Sequence, residues 1–299
     1  MADLTANTTE QLHGKALGLD RLPLDLVAGI LADGQQEAAA VVRLGAPQMA
    51  SAARVMAETI RNGGTLYYIA AGSSGLMAAA DAMELGGTFS IPATQVRILM
   101  AGGIPTAPDM PGDSEDQSDE LVRALSPLAP KDTVITVSAS GSTPYTLAAA
   151  GIAKDAGATV IGIANNARSP LLDLADYPIC LPTPPEVLSG STRMGAGTAQ
   201  KIALNTLSTL MAVDLGHVHD GMMVNLHADN AKLRARATGI VARISGQTDA
   251  AAKDALQRAG GDVKRAILIA TGATPDQATD LITRTNGHLR PALSVLTKE

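Results

Sequence analysis

Tyr67–Thr88 reads YYIAAGSSGLMAAADAMELGGT, and this stretch decides the fold. A short apolar run, Leu66–Ala71, ends in Gly72-Ser73-Ser74-Gly75, and an Ala- and Met-rich segment follows without a break. The pattern predicts a strand, a tight loop and a helix. Glycine lets the backbone turn and approach a ligand closely. The helix N-terminus offers unpaired N–H groups and the positive end of the dipole, and Ser73 and Ser74 add hydroxyls beside it. Together these make a site for a phosphate or another anion.

Gly and Ser are also ordinary turn residues, so one such loop decides little. A second copy strengthens the reading. Thr133–Ser138 (TVITVS) is another apolar run; it ends in Ala139-Ser140-Gly141-Ser142-Thr143-Pro144 and leads into a helical segment, Tyr145–Asp155. Two hydroxyl-rich turns in one parallel sheet can converge on one ligand at the carboxyl ends of the strands.

Outward from these stretches, Pro23–Leu44 and Pro47–Arg61 read as helices, after a polar and loosely ordered start over residues 1–22. Further strands are expected at Gln95–Met100, Thr159–Ala164 and Tyr177–Leu181. Ile104–Ser118 reads as a loop carrying Asp113, Glu115 and Asp116, and Asp119–Leu128 as a short helix. Ser191–Gly216 and Asp229–Ser245 read as longer helices. Strands alternating with helices imply βαβ units and an α/β fold with a three-layer, doubly wound parallel sheet. The last fifty or so residues read as three short helices punctuated by glycine. The expected division is 1–245 for the sheet domain with its N-terminal helices and 246–299 for a small all-helical appendage.

Composition narrows the function. Aromatics make up only 2% of the 299 residues, so stacking platforms for sugars are not expected to dominate recognition. The net charge of -6 argues against general nucleic-acid binding, which needs a basic footprint. No stretch reaches the ~18 apolar residues of a membrane span. The one cysteine, Cys180, is expected in the core, and its scarcity together with a start lacking signal-peptide features suggests the cytoplasm. The nucleotide fingerprints are absent: the first loop is A-A-G-S-S-G, the second strand lacks a terminal acid, and there is no Walker sequence. His217 and His219 could chelate, but no acid or third histidine joins them at a metal-site spacing, so they read as solvated or capping residues.

Two acids stand out. Glu84 sits in an apolar helical stretch, where a charge is costly unless used or paired. Glu115 lies in the loop after the second strand, on the side of the sheet that carries the turns. Two carboxyls near an anion site suit acid–base work on a carbon next to a carbonyl. Neighbouring acids leave simple solvation open for Glu115.

Both turns, Glu84 and the long motif Glu186–Lys201 (EVLSGSTRMGAGTAQK) resemble the N-acetylmuramic acid 6-phosphate etherases of the sugar-isomerase (SIS) domain superfamily. The likeness runs almost end to end, from Thr9-Glu10-Gln11 through Met223–Leu233 (MVNLHADNAKL) to GGDVKRAI, which is similar to the family's small UBA-like tail. The resemblance implies cleavage of a lactyl ether by syn elimination through an open-chain unsaturated aldehyde, then water addition, with no cofactor. It places the family's catalytic glutamates on Glu84, matching the leaving-group acid, and on Glu115, whose role as base is less settled. It implies that Gly72, Ser73, Ser74, Ser138, Ser140, Gly141, Ser142, Thr143, Ser191, Arg193 and Lys201 bind an amino-sugar phosphate. Three positions that are usually basic in the family are neutral here: Leu76, Ser142 and Gly195. An altered ligand, in a non-catalytic or isomerase-type sugar-phosphate binder, is therefore the alternative.

Glu84 should stand roughly 13–15 Å along its helix from Gly75. A hexosamine phosphate is at most about that long, so one chain could just complete the site. The expectation is instead a homodimer with sites at the interface and Leu76, Met77, Ala80 and Met83 as the seam.

Overall fold

The computed structural model describes residues 7–108, 119–226 and 231–296. Asp113, Glu115 and Asp116, and Asp229 at the start of the expected helix Asp229–Ser245, therefore lie outside the described residues.

Five parallel strands form the main sheet: β1 (Leu66–Ala70), β2 (Val96–Met100), β3 (Thr133–Ser138), β4 (Thr159–Ala164) and β5 (Tyr177–Cys180). Their order is β2-β1-β3-β4-β5. The chain leaves β1 towards one edge and returns to its other side at β3, so the winding reverses between these two strands. The fold is α/β and doubly wound, as expected. β1, β3 and all of β4 but Thr159 are buried, which is why they read as continuous apolar runs rather than alternating ones.

Contacts between residues divide the chain into two compact units, 1–83 with 94–208, and 84–93 with 209–299. The first holds the sheet and α1 (Leu24–Ala40), α2 (Ala46–Arg61), α4 (Asp119–Ala124), α5 (Pro144–Asp155) and α6 (Pro170–Leu174). It also holds most of α3 (Gly72–Phe89) and α7 (Gly195–Asp214). Helix α1 ends at Ala40 and passes into a 3-10 turn, Val41–Gly45, where one helix to Leu44 was expected.

The second unit packs α8 (Ala231–Ser245), α9 (Asp249–Arg258), α10 (Val263–Ala270), α11 (Pro275–Arg284) and α12 (Leu289–Leu296), with a small hairpin of β6 (Val218–His219) and β7 (Met222–Met223). Four helices follow residue 245 instead of three. Val224, Leu226, Ala237, Ile240 and Val241 share one apolar core with Ala252, Ile267, Leu281 and Ala292. Packing thus begins well before the boundary drawn after residue 245, because α8 supplies one wall of that core. Thr274 caps α11 reciprocally with Gln277. Lys264 is buried, donates from Nζ to the Gly287 carbonyl at 2.9 Å, and is pushed down to about 8 by burial. His219 is also buried rather than solvated, and burial lowers its pKa.

The buried acid of α3 is Asp81. Its carboxylate accepts from Tyr68 Oη at 3.2 Å on β1, and from Asn205 Nδ2 at 2.8 Å and Ser208 Oγ at 2.9 Å on α7. Burial and the Asp81 charge hold the Tyr68 phenol well above its ordinary pKa. One carboxylate thereby ties α3 to β1 and to α7. Asp81→Leu removes the acceptor of Tyr68 and Asn205, while Ser208 Oγ can still donate to the Asn205 carbonyl, and a loss of roughly 1–3 kcal/mol of stability is expected from urea unfolding. Tyr68→Phe should cost less than that, since Asp81 keeps its two partners on α7.

Candidate functional site

The two turns meet. In the β1–β3 register Ala70 pairs with Val137, so Ala71-Gly72-Ser73-Ser74 and Ser138-Ala139-Ser140 leave the sheet at the same height. They line a cleft of about 210 Å³ at the carboxyl ends of the two strands, completed by Thr143, Thr9, Glu10, Gly190 and Thr192. The place is the switch point of the winding, where open α/β sheets bind ligands.

The second turn is built around one hydroxyl. Ser138 Oγ accepts the Gly141 N–H at 3.0 Å and sits 2.8 Å from Thr143 Oγ1 and 3.3 Å from Ser140 Oγ. Ser140 Oγ in turn accepts from Ser142 N at 3.2 Å and Ser142 Oγ at 3.0 Å. Gly141 has φ +69, and a Cβ there would lie 2.3 Å from Ser169 Oγ. Only glycine closes this turn without strain. In the first turn, the opening N–H groups of α3 have no carbonyl earlier in the helix to bond. The arrangement is a neutral cradle of hydroxyls and helix N-termini, suited to an anion.

Of the expected ligand-binding residues, the cleft brings together Gly72, Ser73, Ser74, Ser138, Ser140 and Thr143. Gly141 and Ser142 shape the turn but do not line the cleft. Ser191, Arg193 and Lys201 are outside the described lining, and the last two are exposed. Their neighbours Gly190 and Thr192 are the ones that reach it. Glu84 is exposed on α3, so the expected desolvation cost of its charge falls away. Cys180 is half-buried rather than in the core. Among the described residues, no group of three His, Cys, Asp or Glu side chains is placed to hold a metal, and no helix is long and apolar enough to cross a membrane.

The sequence did not show that the start of the chain belongs to the site. Thr8–Glu10 forms a 3-10 turn rather than a loose tail. Thr8 N donates to Asn166 Oδ1 at 2.9 Å. Asn166 Nδ2 reaches Thr9 Oγ1 at 3.2 Å and the Ala139 and Ser140 carbonyls at 3.3 Å each. Thr9 and Asn166 are buried, so these bonds are shielded from water.

A third helix N-terminus is already filled. Both carboxylate oxygens of the buried Glu186 accept from α7: Oε2 from Gly195 N at 2.9 Å and Oε1 from Ala196 N at 2.8 Å. An internal anion therefore occupies α7, whereas the turns opening α3 and α5 face the cleft.

The comparisons agree with this geometry. Residues 32–165 match the SIS domain family. An N-acetylmuramic acid 6-phosphate etherase of Deinococcus radiodurans is 42% identical over 95% of this chain and 94% of its own. The chain belongs to the N-acetylmuramic acid 6-phosphate etherase family. The etherase of Rubrobacter xylanophilus is 38% identical over 95% of each chain. Among solved structures, a phosphoheptose isomerase from Francisella tularensis aligns over 64% of this chain and 98% of its own, with a TM-score of 0.46 and 18% identity.

The structure separates two of the neutral positions, Ser142 and Gly195, by the room around them. Ser142 is exposed beside the second turn, so an arginine fits there. Gly195 is buried, and a Cβ on it would stand 3.0 Å from both Glu186 Oε2 and Ala38 Cβ. Ser142→Arg is expected to tighten binding of N-acetylglucosamine 6-phosphate about tenfold in calorimetry, through charge assistance. Gly195→Lys is expected to lower Tm and leave binding no tighter. A tighter Gly195→Lys variant of unchanged Tm would contradict this packing argument.

Proposed function

We propose that the chain cleaves the lactyl ether of N-acetylmuramic acid 6-phosphate, consuming water and releasing N-acetylglucosamine 6-phosphate and D-lactate. The observation that carries the proposal is the meeting of two hydroxyl turns at one cleft, in a chain whose relatives of that name match it over nearly its whole length. The phosphate lies in the cradle. A carboxylate base takes the proton next to the aldehyde carbon, the ether C–O bond breaks, and a carboxylic acid protonates the leaving lactate oxygen. Water then adds across the double bond. Glu84 is the proposed acid and Glu115 the proposed base, and chemistry of this kind needs no cofactor. The reaction fits the cytoplasmic recycling of cell-wall amino sugars.

We further propose a homodimer with shared sites. The outer face of α3 exposes Leu76, Ala80 and Met83, with Met83 61% accessible, and α1 exposes Leu24 and Leu26 at 84% and 54%. Apolar side chains this open on two helices of one unit suit an isologous contact.

The neutral Leu76 and Ser142 favour one other reading, a sugar-phosphate binder that does no chemistry. Incubation with N-acetylmuramic acid 6-phosphate and an assay for D-lactate decides between them. Release of lactate is expected, reduced roughly 10²–10⁴-fold in Glu84→Gln with ligand binding retained. Tight binding without lactate would establish the binder instead. Mixing inactive Glu84→Gln subunits with the inactive double variant Ser74→Ala and Ser140→Ala is expected to restore activity. An active monomer would contradict the shared site.

A further inference from the structure

The charge of the cleft does not match an anion site in one respect. Among the described residues that line it, Glu10 alone carries a formal charge, and that charge is negative. Glu10 is exposed, so water solvates its carboxylate in the free protein; beside a bound phosphate the carboxylate is repelled by that group, and a donor elsewhere on the ligand would satisfy it. A carboxylate accepts hydrogen bonds and donates none. Nor is it there by looseness: the turn that carries it is pinned by the buried Thr9 and Asn166 to the carbonyls of the phosphate turn itself.

The size of the cleft limits which part of the ligand Glu10 can meet. At about 210 Å³ it is smaller than the roughly 300–1,000 Å³ of pockets that enclose a whole drug-sized ligand. A cleft of that size has room for a phosphate and the carbons next to it. In a closed pyranose 6-phosphate, the carbon next to the phosphate-bearing one carries the ring oxygen, which has no proton. In the open chain that oxygen is a free hydroxyl, a donor at the right end of the molecule.

We propose that Glu10 is a specificity-determining residue that accepts a hydrogen bond from this hydroxyl and so favours the open-chain form of a sugar 6-phosphate. This rests on the phosphate-cradle reading above. It gives the start of the chain a task in the reaction: an elimination next to an aldehyde needs the open chain, and Glu10 raises the share of bound ligand in that form.

The test uses the full chain and calorimetry with three probes: N-acetylglucosaminitol 6-phosphate, which is always open; the methyl glycoside of N-acetylglucosamine 6-phosphate, which is locked closed; and inorganic phosphate. Wild type should bind the open probe about tenfold tighter than the closed one. Glu10→Ala should bring the two within about twofold, with inorganic phosphate bound as tightly as before or more tightly. Glu10→Gln, which keeps a neutral acceptor, should fall between. Equal binding of open and closed probes by wild type, or a preference that survives in Glu10→Ala, would overturn the role of Glu10 while leaving the cradle intact. Failure of wild type to bind any of the three would overturn the cradle and this inference with it.

Discussion

The site depends on the register between β1 and β3. Because Leu66 pairs with Thr133 and Ala70 with Val137, the two strands end level, and the loops that follow them stand side by side. A slip by one residue would put Ser138 on the other face of the sheet. Hydrogen bonds support that register at the amino end: Asp132 accepts from Thr65 N at 2.7 Å, and Thr133 N donates to the Thr65 carbonyl at 3.0 Å. The winding reverses between these strands, which opens a crevice at their carboxyl ends.

Within that frame, partial charges decide where an anion goes. Helices α3 and α5 begin at the carboxyl edge of the sheet, and Glu186 neutralises the N-terminus of α7 from inside the fold. The first turn of α3 and the turn before α5 face the cleft. Asp81 keeps α3 in place by collecting donors from β1 and α7. Both carboxylates do structural work at helices of this unit, and Glu186 with Ala38 makes position 195 tight for any side chain larger than glycine.

The sheet could be read from the sequence because its strands are local, continuous apolar runs; β3 and β4 match their expected bounds residue for residue. The two turns were legible for the same reason, although Gly72-Ser73-Ser74-Gly75 proves to be the first turn of α3 itself rather than a loop ahead of it. What escaped was long-range. Thr9 and Asn166 lie 157 residues apart, and neither carries a local signal that they meet. Position in an apolar helix did not tell Asp81 from Glu84; only the neighbours of each show that the first is buried and the second exposed. The hairpin of β6 and β7, with two residues in each strand, is too short to leave a period.

The central claim is that one phosphate group is held by both turns together. Backbone amide NMR during titration with N-acetylglucosamine 6-phosphate tests it most directly. The account predicts that the amides of Gly72, Ser73 and Ser74 and those of Ser140, Gly141 and Ser142 shift together along one binding curve, and that inorganic phosphate moves the same set. Shifts confined to one turn, or centred on the N-terminus of α7 at Gly195 and Ala196, would contradict it.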